Sequence, residues 1–119
     1  MTTLQATTTV NARNSITDYP IGTDTDGNQI VATLTCWHDK DRKALLAQLQ
    51  RFTIAANGTR TEAPGHSTRI ESKMMAKFSK AALDGFTDYA KQTVDELRFS
   101  GNEDDSYAVA VAATFAPEA

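Results

Sequence analysis

The chain has 119 residues, of which 40% are hydrophobic and 23% charged, with a formal net charge of −3. That length suits one domain, 1–119, able to bury roughly two-thirds of its unfolded surface, and the composition excludes a disordered or fibrous chain. A single cysteine, Cys36, excludes an internal disulfide framework and fits a reducing compartment.

The opening stretch, MTTLQATTTV, has neither the basic nor the apolar region of a signal peptide. The longest uncharged apolar run, residues 107–116, is too short to span a bilayer as a helix. A cytoplasmic protein that does not enter a membrane is therefore expected.

Residues 4–12 alternate between an apolar side (Leu4, Ala6, Val10) and a polar one (Gln5, Thr7, Thr9), which predicts a half-exposed strand. Residues 13–28 carry Asn, Asp, Pro and Gly at loop spacing. Within them, GTDTDGNQIV resembles part of a calcium loop. If Gly27 is set at position 6, however, position 1 is Gly22, position 8 is Gln29 and position 12 is Thr33. The two aspartates left, Asp24 and Asp26, are too few for calcium, so a tight turn at Asp26-Gly27 is the better reading.

Residues 29–37, QIVATLTCW, are β-branched and aromatic-rich and predict a second strand with partial burial on both faces. Asp39 then has the character of a helix N-cap. Leu45, Leu49, Phe52 and Ala56 recur at helical spacing, predicting a helix near 40–56 closed by Asn57-Gly58. A rival reading makes Asn57-Gly58 the turn of a hairpin.

Thr68 and Glu71 stand at capping-box spacing. After them Ile70, Met74, Phe78, Ala82, Phe86, Ala90, Val94 and Leu97 recur every three or four residues, predicting a helix near 68–99. Gly85 is its weak point, where it could bend or break. Residues 106–115 alternate strictly, with Tyr107, Val109, Val111, Ala113 and Phe115 on one side, and predict a third strand. The expected fold is a two-layer α+β domain: a small, mostly antiparallel sheet packed on one face by two helices.

Few constellations carry chemistry. Cys36, His38 and Asp39 bring a thiol, an imidazole and a carboxylate together, and His66 precedes a predicted helix. No oxyanion-hole signature or zinc-ligand spacing accompanies them. There is no Walker loop, Rossmann fingerprint, HExxH or GxSxG, so no catalytic residue, cofactor or metal is expected.

Charge layout says more. Residues 40–80 carry nine basic side chains against three acidic ones, whereas the rest of the chain carries three against twelve. Lys40, Arg42 and Lys43 open the basic segment, and Arg69, Lys73, Lys77 and Lys80 follow at steps of 4, 4 and 3, one face of a helix if the helix forms. Asp84 and Asp88 lie in its later half. Two copies of such a helix, antiparallel about Gly85, would match basic halves to acidic halves. The basic face could instead receive nucleic-acid phosphates, although no aromatic stacking platform accompanies it.

The leading expectation is therefore a non-catalytic protein that acts by protein–protein contacts, as a homodimer or larger assembly, or with another protein as partner. Nucleic-acid binding through the basic segment is the alternative, and a small Cys/His enzyme the third. In size and strand–helix content the chain is similar to small viral coat proteins, which dimerise by joining sheets; no motif in these residues carries that resemblance.

Overall fold

The computed structural model describes residues 6–98 and 106–115. Five strands, β1 (Thr7–Val10), β2 (Asn14–Thr23), β3 (Gln29–Asp39), β4 (Ala44–Ile54) and β5 (Arg60–Met74), precede two helices, α1 (Lys80–Arg98) and α2 (Ser106–Phe115). Each strand pairs antiparallel with the next, in the order β1-β2-β3-β4-β5, and both helices pack on one face of the sheet. The expected class, two-layer α+β with an antiparallel sheet and two helices, is the class found. No described helix is long and apolar enough to cross a membrane.

Local turn chemistry explains the meander. Between β2 and β3 the Asp24 carboxylate accepts the amides of Asp26 (2.9 Å) and Asn28 (2.8 Å), and Gly27 takes φ +84°. The stretch that resembles a calcium loop is thus a turn, as its residue types indicate. Between β3 and β4, Asp39 Oδ1 accepts the amides of Asp41 (2.9 Å) and Arg42 (3.1 Å). Asp39 does cap, but it caps a turn. Lys43, at φ 51°, then redirects the chain into β4. Between β4 and β5, Asn57 Oδ1 accepts the Thr59 amide and Gly58 has φ +88°. The rival hairpin reading is the correct one there.

Several expected boundaries are overturned. Residues 44–54 form a strand rather than a helix: the first four residues, Ala44 to Ala47, are apolar and buried on both faces, and the segment's Ala, Leu and Gln residues, good helix formers, are held extended by β3 and β5. Residues 68–74 belong to β5, so the predicted 68–99 helix starts only at Lys80, where Ser79 Oγ accepts the Ala82 amide at 3.3 Å. It then runs unbroken through Gly85. Residues 106–115 are helical, with Ala108, Val111 and Thr114 buried three apart. The 13–28 loop contains β2, and the first expected strand, 4–12, is a strand only over Thr7–Val10: Asn11 already turns the chain toward β2, its amide donating to the Asn14 carbonyl, and residues 4 and 5 lie outside the described residues.

The core lies between sheet and helices. Tyr19 from β2, Ala32, Leu34 and Cys36 from β3, and Leu45, Ala47 and Leu49 from β4 meet Leu83, Phe86, Ala90 and Val94 of α1 and Val111 of α2. Each large side chain so buried contributes on the order of 1.5–3 kcal/mol. The other sheet face, which carries neither helix, still buries Val31, Thr33 and Leu46 among mixed polar and apolar neighbours. There the Arg60 guanidinium grips Asp18 with two bonds (2.5 and 3.1 Å), and Thr33 donates to the same carboxylate at 2.7 Å.

Candidate self-association surface

The sheet has two edges of unequal kind. β1 is four residues long, and Lys91 Nζ from α1 reaches its Thr8 hydroxyl at 3.1 Å. β5 is fifteen residues long and pairs only with β4 among the described residues. A long strand at the edge of a sheet is a template for another strand.

The exposed end of β5 has a distinctive local arrangement. Ser72, Lys73 and Met74 are exposed, Met74 by 78%. Ser72 gives its one backbone donor to Glu71 Oε1 at 3.0 Å, a side-chain acceptor. Glu71 and Lys73, two residues apart on a strand, project to the helix side. There, with Ser72, they line a groove of about 510 Å³ whose other wall is Ala82, Gly85, Phe86 and Tyr89 of α1. A Cβ on Gly85 would meet nothing within 4 Å, so this glycine widens the groove rather than relieving a crowded contact. Tyr89 is 55% exposed beside it.

The charged residues singled out in the sequence fall into place differently from the helical reading. Lys40, Arg42 and Lys43 occupy the β3–β4 turn. Arg69 and Lys73 are on β5, Lys77 is in the connection to α1, and Lys80 is the first residue of α1. They do not share a helix face, so the pairing of a basic half-helix with an acidic half-helix is withdrawn. The basic run was periodic by coincidence, since the chain changes from strand to helix within it.

A different grouping replaces it. Met75 N donates to Lys43 O at 2.8 Å, which brings the β3–β4 turn against the start of the β5–α1 connection. Lys40, Arg42, Lys43, Lys73, Lys77 and Lys80 therefore gather at one end of the sheet. The opposite end holds Asp24 and Asp26 at the β2–β3 turn and Asp95 and Glu96 in the last turn of α1. The helix dipole of α1 points the same way, positive toward Lys80. Arg42 pairs with Asp39 (3.9 Å) and Lys80 with Asp84 (2.5 Å), whereas Lys40, Lys43, Arg69, Lys73 and Lys77 have no ion pair among the described residues. Asp88 is exposed on α1, and Gly85 lies on the groove.

The thiol and imidazole do not converge on a reacting centre. β3 continues through His38, so Cys36 and His38 share the helix side. Cys36 is fully buried, and burial pushes its thiol up despite hydrogen bonds with Ser15 and Thr87. His38 Nε2 donates to the Met75 carbonyl at 2.7 Å, tying β3 to the β5–α1 connection, and its ring lies 6.1 Å from Phe78. The His66 side chain lies outside the described residues.

Sequence reasoning missed the β5 edge and its Glu71-Ser72-Lys73 triplet. The signal was an acid and a base two apart around a small polar residue, legible only once the segment is known to be a strand. No protein-family model matches the chain, and no curated protein or solved structure matches it.

Proposed function

We propose that this protein works by self-association, as a homodimer or larger assembly built on the outer edge of β5. The single observation that carries this reading is a fifteen-residue strand paired on one side only among the described residues, flanked on the helix side by a groove and by exposed Tyr89. Strand addition at such an edge satisfies backbone donors and acceptors and covers the apolar flank in one step. Size-exclusion chromatography with light scattering tests it: the mass is expected at twice 12.9 kDa or more. Ser72→Pro removes an outward donor without costing β4 a hydrogen bond, so it should yield a folded monomer. A wild-type chain that stays monomeric at high concentration overturns the reading.

The gathering of Lys40, Lys43, Lys73 and Lys77 at one end favours a second reading, polyanion binding there. Each phosphate neutralised would contribute about −0.9 to the slope of log affinity against log salt for duplex DNA. Electrophoretic shifts with generic RNA and DNA at low salt, abolished by Lys40→Glu with Lys77→Glu, are the expected result. No shift at micromolar protein removes this second reading.

A further inference from the structure

We infer that the partner on the β5 edge is a second copy of the same chain, paired antiparallel about a twofold axis at Ser72, with Glu71 of each protomer opposite Lys73 of the other; this rests on the self-association reading above. The argument starts from the backbone. In an antiparallel pair, residues directly opposite either exchange both their N–H···O=C bonds or neither. Ser72 gives its amide to a side chain, Glu71 Oε1 at 3.0 Å, and so presents itself as the exchanging kind. A twofold axis at Ser72 sets the two Ser72 residues opposite one another. Each amide then finds the partner's carbonyl, and each Glu71 carboxylate is released.

The released carboxylate has a destination. About an axis at Ser72, antiparallel register places residue 71 opposite residue 73 of the other copy, twice. Glu71 and Lys73 both face the groove side, so the two pairs are of opposite charge and identical by symmetry, as an isologous contact requires. An axis at residue 71 or 73 would instead set like residues of like charge opposite themselves. The same placement brings the two α1 helices side by side along the seam, where Ala82 and Gly85 permit close approach and each Tyr89 is covered. Lys73, without an ion pair among the described residues, gains one.

Charge exchange tests the register. Glu71→Lys and Lys73→Glu should each weaken self-association, by about 5- to 30-fold for two like-charge pairs created where opposite-charge pairs stood. The double variant Glu71→Lys/Lys73→Glu should restore it. An equimolar mixture of the two single variants should form heterodimers in preference to either homodimer. Cysteine at the axis gives an independent readout. Ser72→Cys is expected to form an interchain disulfide on mild oxidation. Met74→Cys is not, since two residues 74 would stand roughly 14 Å apart along the seam, beyond disulfide reach. A dimer whose affinity ignores the charge exchange and whose Ser72→Cys variant fails to cross-link overturns the register while leaving self-association standing. A chain that is monomeric in every variant and in wild type overturns both. Cross-linking through Met74→Cys instead of Ser72→Cys overturns the axis position.

Discussion

Ser15 Oγ and Thr87 Oγ1 lie 2.6 Å apart, a buried hydrogen bond between β2 and α1 that spans 72 positions of sequence. Both hydroxyls sit in an apolar layer, where a polar group left alone costs about 1–3 kcal/mol. Ser15→Ala or Thr87→Val alone should therefore destabilise by about that much, because each leaves the other hydroxyl only the weakly bonding Cys36 sulfur as a partner. The double variant should cost less than the two singles added together. Urea denaturation of the four proteins provides the cycle. Strict additivity would mean the two hydroxyls do not act as a pair.

Cys36 adjoins that pair and hydrogen-bonds both of its members. A thiol must ionise and meet its reagent to react, and this one is wholly buried with its ionisation pushed up. Labelling by a thiol reagent at neutral pH should therefore track the opening of α1 from the sheet and become rapid in denaturant. Thr87→Val should speed labelling by loosening the helix. Prompt stoichiometric labelling of the native protein would contradict the burial and revive a chemical role for Cys36.

Asp18 and Arg60 form a two-bond ion pair on the sheet face away from the helices. Burial pushes the Asp18 carboxyl up, but hydrogen bonds from Arg60 and Thr33 and the guanidinium charge outweigh it and hold the group below its ordinary value of 3.8. The folded carboxyl thus protonates at lower pH than the unfolded one. Its contribution to stability is complete above the unfolded value and is lost as pH falls through the folded value. Asp18→Asn should reduce stability at pH 7 and flatten the loss between about pH 5 and pH 3. Urea midpoints of both proteins at these pH values give the comparison. Parallel acid curves would show that Asp18 is not the linked group.

How much of this could be read beforehand depends on what each residue encodes locally. β3 was legible because its β-branched residues have one obvious conformation. The buried face of α1 was legible from Phe86, Ala90 and Val94. Asp39 and Asp24 declared their turn chemistry, since a carboxylate beside free amides caps them in any context. β4 was not legible. Ala44, Leu45, Leu46 and Ala47 are buried in succession, so alternation is absent, and only the neighbouring strands keep them extended. β2 hid behind polar residues: Ser15, Thr17 and Asp18 stand among loop-forming residues, and their partners (Thr87 for Ser15, Thr8 for Thr17, Arg60 and Thr33 for Asp18) come from other elements. α2 was misread because Val and Ala alternate there, while helix-side burial falls on Ala108, Val111 and Thr114. The candidate surface suffered most. Its residues alternate on a strand that resembled the start of a helix, and Thr68 with Glu71 counterfeited a cap that Ser79 provides.

Tyr19 offers the last test, because its ring and its hydroxyl are served differently. The ring stands edge-on to Phe115, with centroids 5.4 Å apart, and the Arg98 guanidinium lies 5.3 Å from its centre. The hydroxyl is buried with no hydrogen-bond partner among the described residues. Tyr19→Phe keeps the ring contacts and removes a desolvated donor, so at pH 7 the variant should be as stable as wild type or more stable, by up to about 1–2 kcal/mol. Burial, assisted by Asp95 against the opposing pull of Arg98, pushes the phenol's ionisation up from its ordinary 10.0. An acid whose folded value is raised favours the fold while it stays protonated. That contribution is complete below the unfolded value and fades as pH rises through the interval to the folded one. The advantage of the phenylalanine variant should therefore widen above pH 10, as measured by urea midpoints at pH 7 and in the alkaline range. A loss exceeding about 1 kcal/mol at pH 7 would show that the hydroxyl has found a partner, since only a satisfied donor is missed when it is removed.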